Sequence, residues 1–260
     1  MAWRVWPHRP RLALGIEVPA PWGGVWSTQA YTEYQPFTLA YIPRAERTGG
    51  RLAVSDWLSG RWRWTVSAGA DEWSSAGAHG AVGAALQFTS PADRIRARGG
   101  MDVWLGNGGF ATSRLNMYAR SSTDLKGLTF VASGGIETAT SRTPLDLWWA
   151  GDTGHVREAL LRAHPLLKDG RLRAERLSRT FVHASLEAQH WWRVGGPLRA
   201  AVAAFGDTGR AERTLTGARS DADVGIGVRV SVTGVPGLFH VDLARGLLDR
   251  ASAISVTYKP

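Results

Sequence analysis

Apolar and polar residues alternate one by one through most of this chain. From Val224 the sequence reads Val-Gly-Ile-Gly-Val-Arg-Val-Ser-Val. Val224, Ile226, Val228, Val230 and Val232 therefore share one face of an extended strand, and Gly225, Gly227, Arg229 and Ser231 the other. Phe239, Val241 and Leu243 alternate with His240, Asp242 and Ala244, and Ile254, Val256 and Tyr258 with Ser255 and Thr257. Upstream, Val182, Ala184, Leu186 and Ala188 alternate with His183, Ser185, Glu187 and Gln189. The same period opens at Leu12, Leu14, Ile16 and Val18. It returns in 25–34, at Leu52 and Val54, and in 62–70, 82–88, 95–105, 115–119, 128–140 and 198–207. About 13 strands are predicted, each near the roughly 9–11 residues that cross a bilayer at a tilt.

A strand of a soluble sandwich shows such alternation too, but seldom so many times with a polar face this full of Gly, Ser and charge. The dyad pattern fits an antiparallel transmembrane β-barrel, apolar toward lipid and polar toward the lumen. Arg94, Arg96 and Arg98 share one parity against Ile95 and Ala97. On a lipid face each would cost roughly 2–4 kcal/mol near the midplane, so their parity assigns them to the lumen. The connections read as short turns at 19–24, 59–60, 90–93, 121–127, 193–197 and 233–237. Longer polar ones are read at 35–47, 72–80, 148–177 and 208–223, with short exceptions at 107–109 and 248–250. Short turns at one end opposite longer loops at the other is the asymmetry expected of a barrel. Trp residues sit near both strand ends, Trp22, Trp26, Trp57, Trp62, Trp64, Trp191 and Trp192 at one and Trp73, Trp148 and Trp149 at the other. That placement suits interfacial girdles, with core packing as the alternative.

Composition narrows the picture. The absence of Cys excludes disulfide frameworks and Cys-ligated metal sites. No run of about 18 apolar residues predicts a transmembrane helix, and the opening ten residues lack the apolar centre of a secretory signal. The net charge of +9 comes almost wholly from Arg. A polyanion partner and a GC-rich genome both produce such an excess, and the scatter of the Arg residues favours the second. The seven His show no metal-ligand spacing, and the Gly pairs match no phosphate loop, so no cofactor is expected.

Several motifs occur in an order that resembles a known family. These are Leu-Arg-Ala-His-Pro at 161–165, Ser185-Leu-Glu187, Phe205-Gly-Asp-Thr-Gly209, Gly225-Ile-Gly-Val-Arg229 and Val241-Asp-Leu-Ala244. Together they resemble the carboxyl-terminal barrel of the bacterial surface-antigen superfamily. That superfamily includes the BamA-like barrel-assembly proteins, the TamA-like translocation proteins and the two-partner secretion transporters. The resemblance is carried by motifs from about residue 140 onward and by pattern alone before it. It implies a long external loop tucked into the lumen, with a tip of the type Val/Leu-Arg-Gly-Phe/Tyr. Here Leu161 and Arg162 match, while Ala163 and His164 replace the Gly and the aromatic residue. Five strands follow that loop, as a sixteen-stranded family barrel requires, and about eight precede it. On this reading residues 1–260 form one barrel domain, with amino-terminal strands, POTRA repeats and a signal peptide absent; a smaller, complete barrel is the alternative.

The site expected from the resemblance is a loop-to-lumen cluster of Arg162, Glu187 and Asp207, since both carboxylates share lumen parity on the strands after the loop. A carboxylate pair also invites an acid–base reading, but no nucleophile or shaped pocket accompanies it, so catalysis is not expected. The implied function is insertion or translocation of proteins or lipids at the bacterial outer membrane. The implied partners are outer-membrane lipid, an unfolded or secreted protein, and periplasmic or lipoprotein subunits. Two alternatives stay open: a membrane module of a larger protein with an enzymatic domain such as a patatin-like lipase, and a soluble basic all-β module that binds nucleic acid.

Overall fold

The computed structural model describes residues 2–4, 10–150, 161–164 and 166–259. One antiparallel sheet dominates it. Its strands are β1 (Ala2–Arg4), β2 (Arg11–Pro19), β3 (Val25–Gln35), β4 (Ala45–Ser59), β5 (Trp62–Trp73), β6 (Gly77–Thr89) and β7 (Ile95–Leu105). They continue through β8 (Phe110–Arg120) and β9 (Gly127–Ala139). A long connection follows, containing the small hairpin β10 (Leu167–Lys168) and β11 (Arg171–Leu172). The sheet then resumes with β12 (Ser178–Gly195), β13 (Leu198–Thr214), β14 (Arg219–Val232), β15 (Leu238–Gly246) and β16 (Ser252–Lys259). The 14 strands of the sheet lie side by side in chain order, the first only three residues long. Thirteen longer strands remain, eight before the connection and five after it.

The sheet is strongly curved. β3 and β14 are nine strand spacings apart in its order, about 43 Å along a flat sheet. Yet Glu175 accepts a hydrogen bond from Thr38, just after β3, while the next residue, Arg176, reaches Asp221 of β14 at 3.5 Å. Two consecutive residues cannot span a flat sheet, so the strands curl around the connection. Among the described residues, β1 and β16 are edges that no bridge joins. The fold is therefore an open, curved, all-antiparallel sheet, and the expectation of a barrel is corrected to that extent. The physical reason lies at the edges: β1 pairs over only three residues, with β2, and among the described residues nothing pairs with the outer side of β16.

Burial along the strands is inverted relative to a water-soluble domain. Ile16, Leu52, Val182, Leu186, Val202, Ile226, Leu243 and Ile254 are exposed on the convex face. Asp71, Glu187, Asp207, Asp223, Arg229 and Asp242 are buried on the concave one. The strand periodicity is the cause: with every second residue apolar, one face of the sheet must carry all of them. Long apolar residues remain exposed on every strand from β2 to β9 and β12 to β16 except β3, whose outer positions are Trp, Thr, Ala and Tyr.

The connection between β9 and β12 fills part of the concavity. Leu166, Leu172, Ala174 and Leu177 pack with Phe37 and Ala45 into the largest buried apolar cluster. A parallel bridge, Phe37 to Leu172, ties β11 to the connection between β3 and β4. A second cluster joins Trp73, Trp104 and Phe110 of β5, β7 and β8 to Leu147.

Two connections expected to be long are tight turns. Residues 72–80 reduce to a turn at 74–76 and residues 208–223 to one at 215–218, because β5, β6, β13 and β14 run further than their apolar residues do. Polar residues such as Asp71, Glu212 and Asp221 extend these strands, which periodicity alone does not register. The Trp expectation also needs correction. Trp22, Trp57, Trp62 and Trp192 are exposed at the end with the short turns, but Trp73, Trp104 and Trp191 point inward and are buried. Trp148 and Trp149 belong to the connection, their indoles donating to Thr143 and Thr138 carbonyls.

Candidate functional site

The concave ends of β12 to β15 meet the tip of the connection, residues 161–164. Leu161 anchors it, packing on Phe181 and Ala211. Arg162 then enters the polar interior. Its Nη1 lies 2.7 Å from Glu187 Oε2 and its Nε 3.2 Å from Asp207 Oδ2, and its guanidinium stacks 3.7 Å above the centre of the Phe205 ring. Arg suits this position because its planar fork can address two carboxylates at once and also stack on an aromatic face. The structure thus brings Arg162, Glu187 and Asp207 together.

A second cation completes the cluster. Arg229, fully buried, donates from Nε to Glu187 Oε1 at 2.8 Å and from Nη1 to Asp242 Oδ1 at 2.6 Å. Asp242 also lies 3.7 Å from Arg162. Two guanidiniums therefore face three carboxylates, with Gln189 and Ser185 donating to Glu187 and Asp207, each at 2.7 Å. Buried charges persist only when so compensated. The Gly-x-Gly-x-Arg stretch of β14 makes room for it. A Cβ on Gly225 would sit 2.3 Å from the Phe205 ring, and one on Gly227 would sit 2.1 Å from Asp242 Oδ1. Arg229 and Asp242 share the parity of Glu187 and Asp207, and parity is the signal that could have added them to the expected cluster.

The two tip residues that depart from the family pattern are also held. Ala163 is fully buried against Phe205 and Ala244, and its amide donates to Asp223 Oδ2 at 2.7 Å. His164 inserts between three carboxylates: Nδ1 is 2.6 Å from Asp223, while Nε2 is 3.0 Å from Asp249 and 3.5 Å from Asp221. Burial works against the imidazolium, but Asp223 and then Asp221 outweigh it and raise His164 above its ordinary range. Arg176 and Arg219 also reach Asp221 and Asp249. His164, Asp221 and Asp249 are close enough to share a cation, but these two guanidiniums already supply positive charge there. Pro165, the last residue of the tip motif, lies outside the described residues.

No protein-family model matches this chain, and no curated protein is significantly similar to it.

Sequence reasoning missed a third polar cluster toward the opposite side of the sheet. Asp71 of β5 accepts from Arg47 at 3.0 Å, from the Trp104 indole at 2.6 Å, and from Tyr31. Beside it, the Trp73 indole donates to Asp146 of the connection at 3.0 Å. Burial raises the Asp146 carboxyl above its usual range, partly offset by that indole and by Arg47. The connection is therefore pinned on both sides: by Arg162 and His164 to β12–β15 and by Asp146 to β5. The contacts in these clusters are ion pairs, hydrogen bonds and aromatic stacks. Their chemistry is that of a latch, in which charged and aromatic contacts fix one segment against a curved wall.

Proposed function

We propose that this chain is the membrane-embedded β-barrel portion of a bacterial outer-membrane protein, related to the surface-antigen superfamily, and that it acts in inserting or translocating proteins or lipids. One observation carries the membrane reading: exposed Leu, Ile and Val line the convex face while buried, mutually paired charges line the concave face. In water such a sheet would leave apolar surface exposed on nearly every strand, far beyond the few hundred Å² usual for a monomer. In hydrocarbon the same face is satisfied, and the polar interior is the lumen. In this reading the 140–177 connection is the gate, and Arg162 and His164 hold it shut. Substrate passage requires its displacement together with an opening of the sheet, and no bond chemistry takes part. Lipid is the surrounding partner, and a polypeptide the substrate that the family resemblance implies.

Membrane fractionation of the expressed full chain tests this. It should stay in the membrane pellet through alkaline carbonate and leave only with detergent. Release by carbonate, or recovery as a soluble protein, would overturn the membrane reading and favour the alternative of a soluble nucleic-acid module.

A further inference from the structure

Several arginines of the concave face are matched by carboxylates: Arg47 by Asp71, Arg51 by Asp102, Arg162 and Arg229 by Glu187. Arg63, Arg98 and Arg114 break that rule. In the register of the sheet, Arg63 of β5 stands opposite Gln87 of β6, Gln87 opposite Arg98 of β7, and Arg98 opposite Asn116 of β8. Arg114 is two residues from Asn116 on β8, diagonal to Arg98 and within about 7–8 Å of it by sheet geometry. Among the described residues none of the three forms an ion pair, and Arg63 has only the Ser55 hydroxyl, at 2.7 Å. Asp102, four residues beyond Arg98 on β7, is already held by Arg51 at 2.8 Å, and Glu137 of β9 stands opposite Arg114 in the register.

Arg63, Gln87 and Arg98 border a real space. A cavity of about 200 Å³ is lined by Arg63 and Arg98, by the neutral polar side chains of Ser27, Ser55, Thr65 and Gln87, and by one acid, Glu17. Glu17 is exposed and pairs with no described cation. The cavity is below the roughly 300–1,000 Å³ of sites for drug-sized ligands, so it takes a small group or the end of a larger one. Two guanidiniums beside a single acid leave an excess of positive charge that raises the energy of the apo state, and an anion between them removes that cost. Guanidiniums bind tetrahedral oxyanions bidentately, and hydroxyl and amide groups beside them supply further donors.

We propose that Arg63 and Arg98, with Gln87 and the hydroxyls of Ser55 and Thr65, form an anion site on the concave face that takes a phosphate-type oxyanion. The inference does not depend on the membrane reading, since the row and the cavity belong to the sheet in any solvent. Nor does it involve the latch residues, which lie on β12 to β15.

Calorimetric titration of the detergent-solubilised full chain with sodium phosphate, against sodium chloride at equal ionic strength, tests it. Saturable binding of phosphate is expected. Arg98→Gln should weaken it about tenfold or more, while Arg245→Gln, on the outward side of β15, should leave it within about twofold. The two variants make the same change in net charge, so equal losses in both would reduce the effect to diffuse electrostatics and overturn the site. Saturation absent from the wild-type chain would overturn it too. Thermal unfolding guards against misfolding as an explanation. Phosphate should raise the Tm of the wild type and not that of Arg98→Gln, whose Tm in chloride should be no lower than the wild type's. A variant Tm that still rises with phosphate as the wild type's does would contradict the assignment. Competition by a soluble short-chain phosphatidic acid would identify a lipid phosphate as the natural occupant. Its failure to compete, with inorganic phosphate still binding, would identify a free oxyanion.

Discussion

Replacing Arg162 by Ala removes the side chain that joins the connection to the wall of the sheet, and the structure sets the scale of the loss. Arg162 is only 11% exposed, and its partners Glu187 and Asp207 are 6% and 1% exposed. Taking away one member of a buried ion pair costs about 3–5 kcal/mol, mostly because the other charge is left unpaired. Here that penalty is uneven. Glu187 keeps Arg229 at 2.8 Å and Gln189 at 2.7 Å, whereas Asp207 keeps the Ser185 hydroxyl and the backbone amide of residue 162 but loses its cation. Stranding one carboxylate and losing the stack on Phe205 gives about 2–4 kcal/mol. At about 1.4 kcal/mol per tenfold, the released state of the connection rises by roughly 30- to 700-fold. Trypsin reads this directly, because Arg173 and Arg176 lie within the connection and are partly buried there. When opening is fast relative to cleavage, the nicking rate follows the population of the open form. Nicking at Arg173 or Arg176 should accelerate by that factor while strand content by circular dichroism is unchanged. Asp207→Asn should act in the same direction, and the double variant should fall short of additivity by about 1–3 kcal/mol. Wild-type nicking of Arg162→Ala, or full additivity with Asp207→Asn, would refute the latch.

Ile226 is 63% exposed on the convex face of β14, whereas Ser231 lies on the concave one. Ile226→Arg should cost about 2–4 kcal/mol of assembly in membranes and Ser231→Arg much less, measured by urea titration in lipid vesicles; equal tolerance contradicts the assignment of faces. The second latch should depend on pH. His164 is raised above its ordinary range, so its contribution is fully present below about pH 6.5 and is lost as pH rises through the raised value. Burial opposes the Asp249 carboxylate, but the Ala251 amide and His164 hold it below its usual range, so its share is lost only as pH falls through that lowered value. Tryptic nicking should therefore accelerate toward alkaline pH, and the acceleration should vanish in His164→Gln; an unchanged profile in the variant removes the latch role. Gly227→Val would drive a side chain into Asp242, 2.1 Å from the first added carbon, and should destabilise by about 1–3 kcal/mol or more. A melting temperature equal to wild type would show that the Arg229–Asp242 contact tolerates displacement.

Strand identity and facing were legible wherever every second residue was apolar, because a period of two fixes the face without further information. β14 is an example: Val224, Ile226 and Val228 are exposed, and Asp223 and Arg229 buried. Strand ends were less legible. β5 and β13 continue through Asp71 and Arg210–Thr214, where polar side chains sit on both faces and the alternation disappears. Facing of the Trp residues was obscured because an indole serves a buried cluster and an interface equally well; Trp73 and Trp104 are packed with Phe110, facts of tertiary contact. At the site, Arg162, Glu187 and Asp207 could be grouped from parity and chain order. Asp249 could not, since it sits in the turn after β15, and its approach to His164 depends on how far the connection reaches across the sheet. The mutual neighbourhood of Arg63, Arg98 and Arg114 likewise depends on strand register, which no single segment encodes.

In the proposed membrane reading the convex face meets lipid and the concave face does not. The chain has no Cys, so a single introduced thiol carries a nitroxide label at one chosen position. Labels at Val182, Ile226, Val228 and Leu243 on the convex face, and at Ala203 and Ser255 on the concave face, should be read in phospholipid vesicles. Collision with oxygen, which concentrates in hydrocarbon, and with a water-soluble nickel chelate then separates the two environments. High oxygen and low nickel accessibility is expected at the first four positions, with the order not reproduced at the other two. High nickel accessibility at Ile226, Val228 and Leu243 would contradict it.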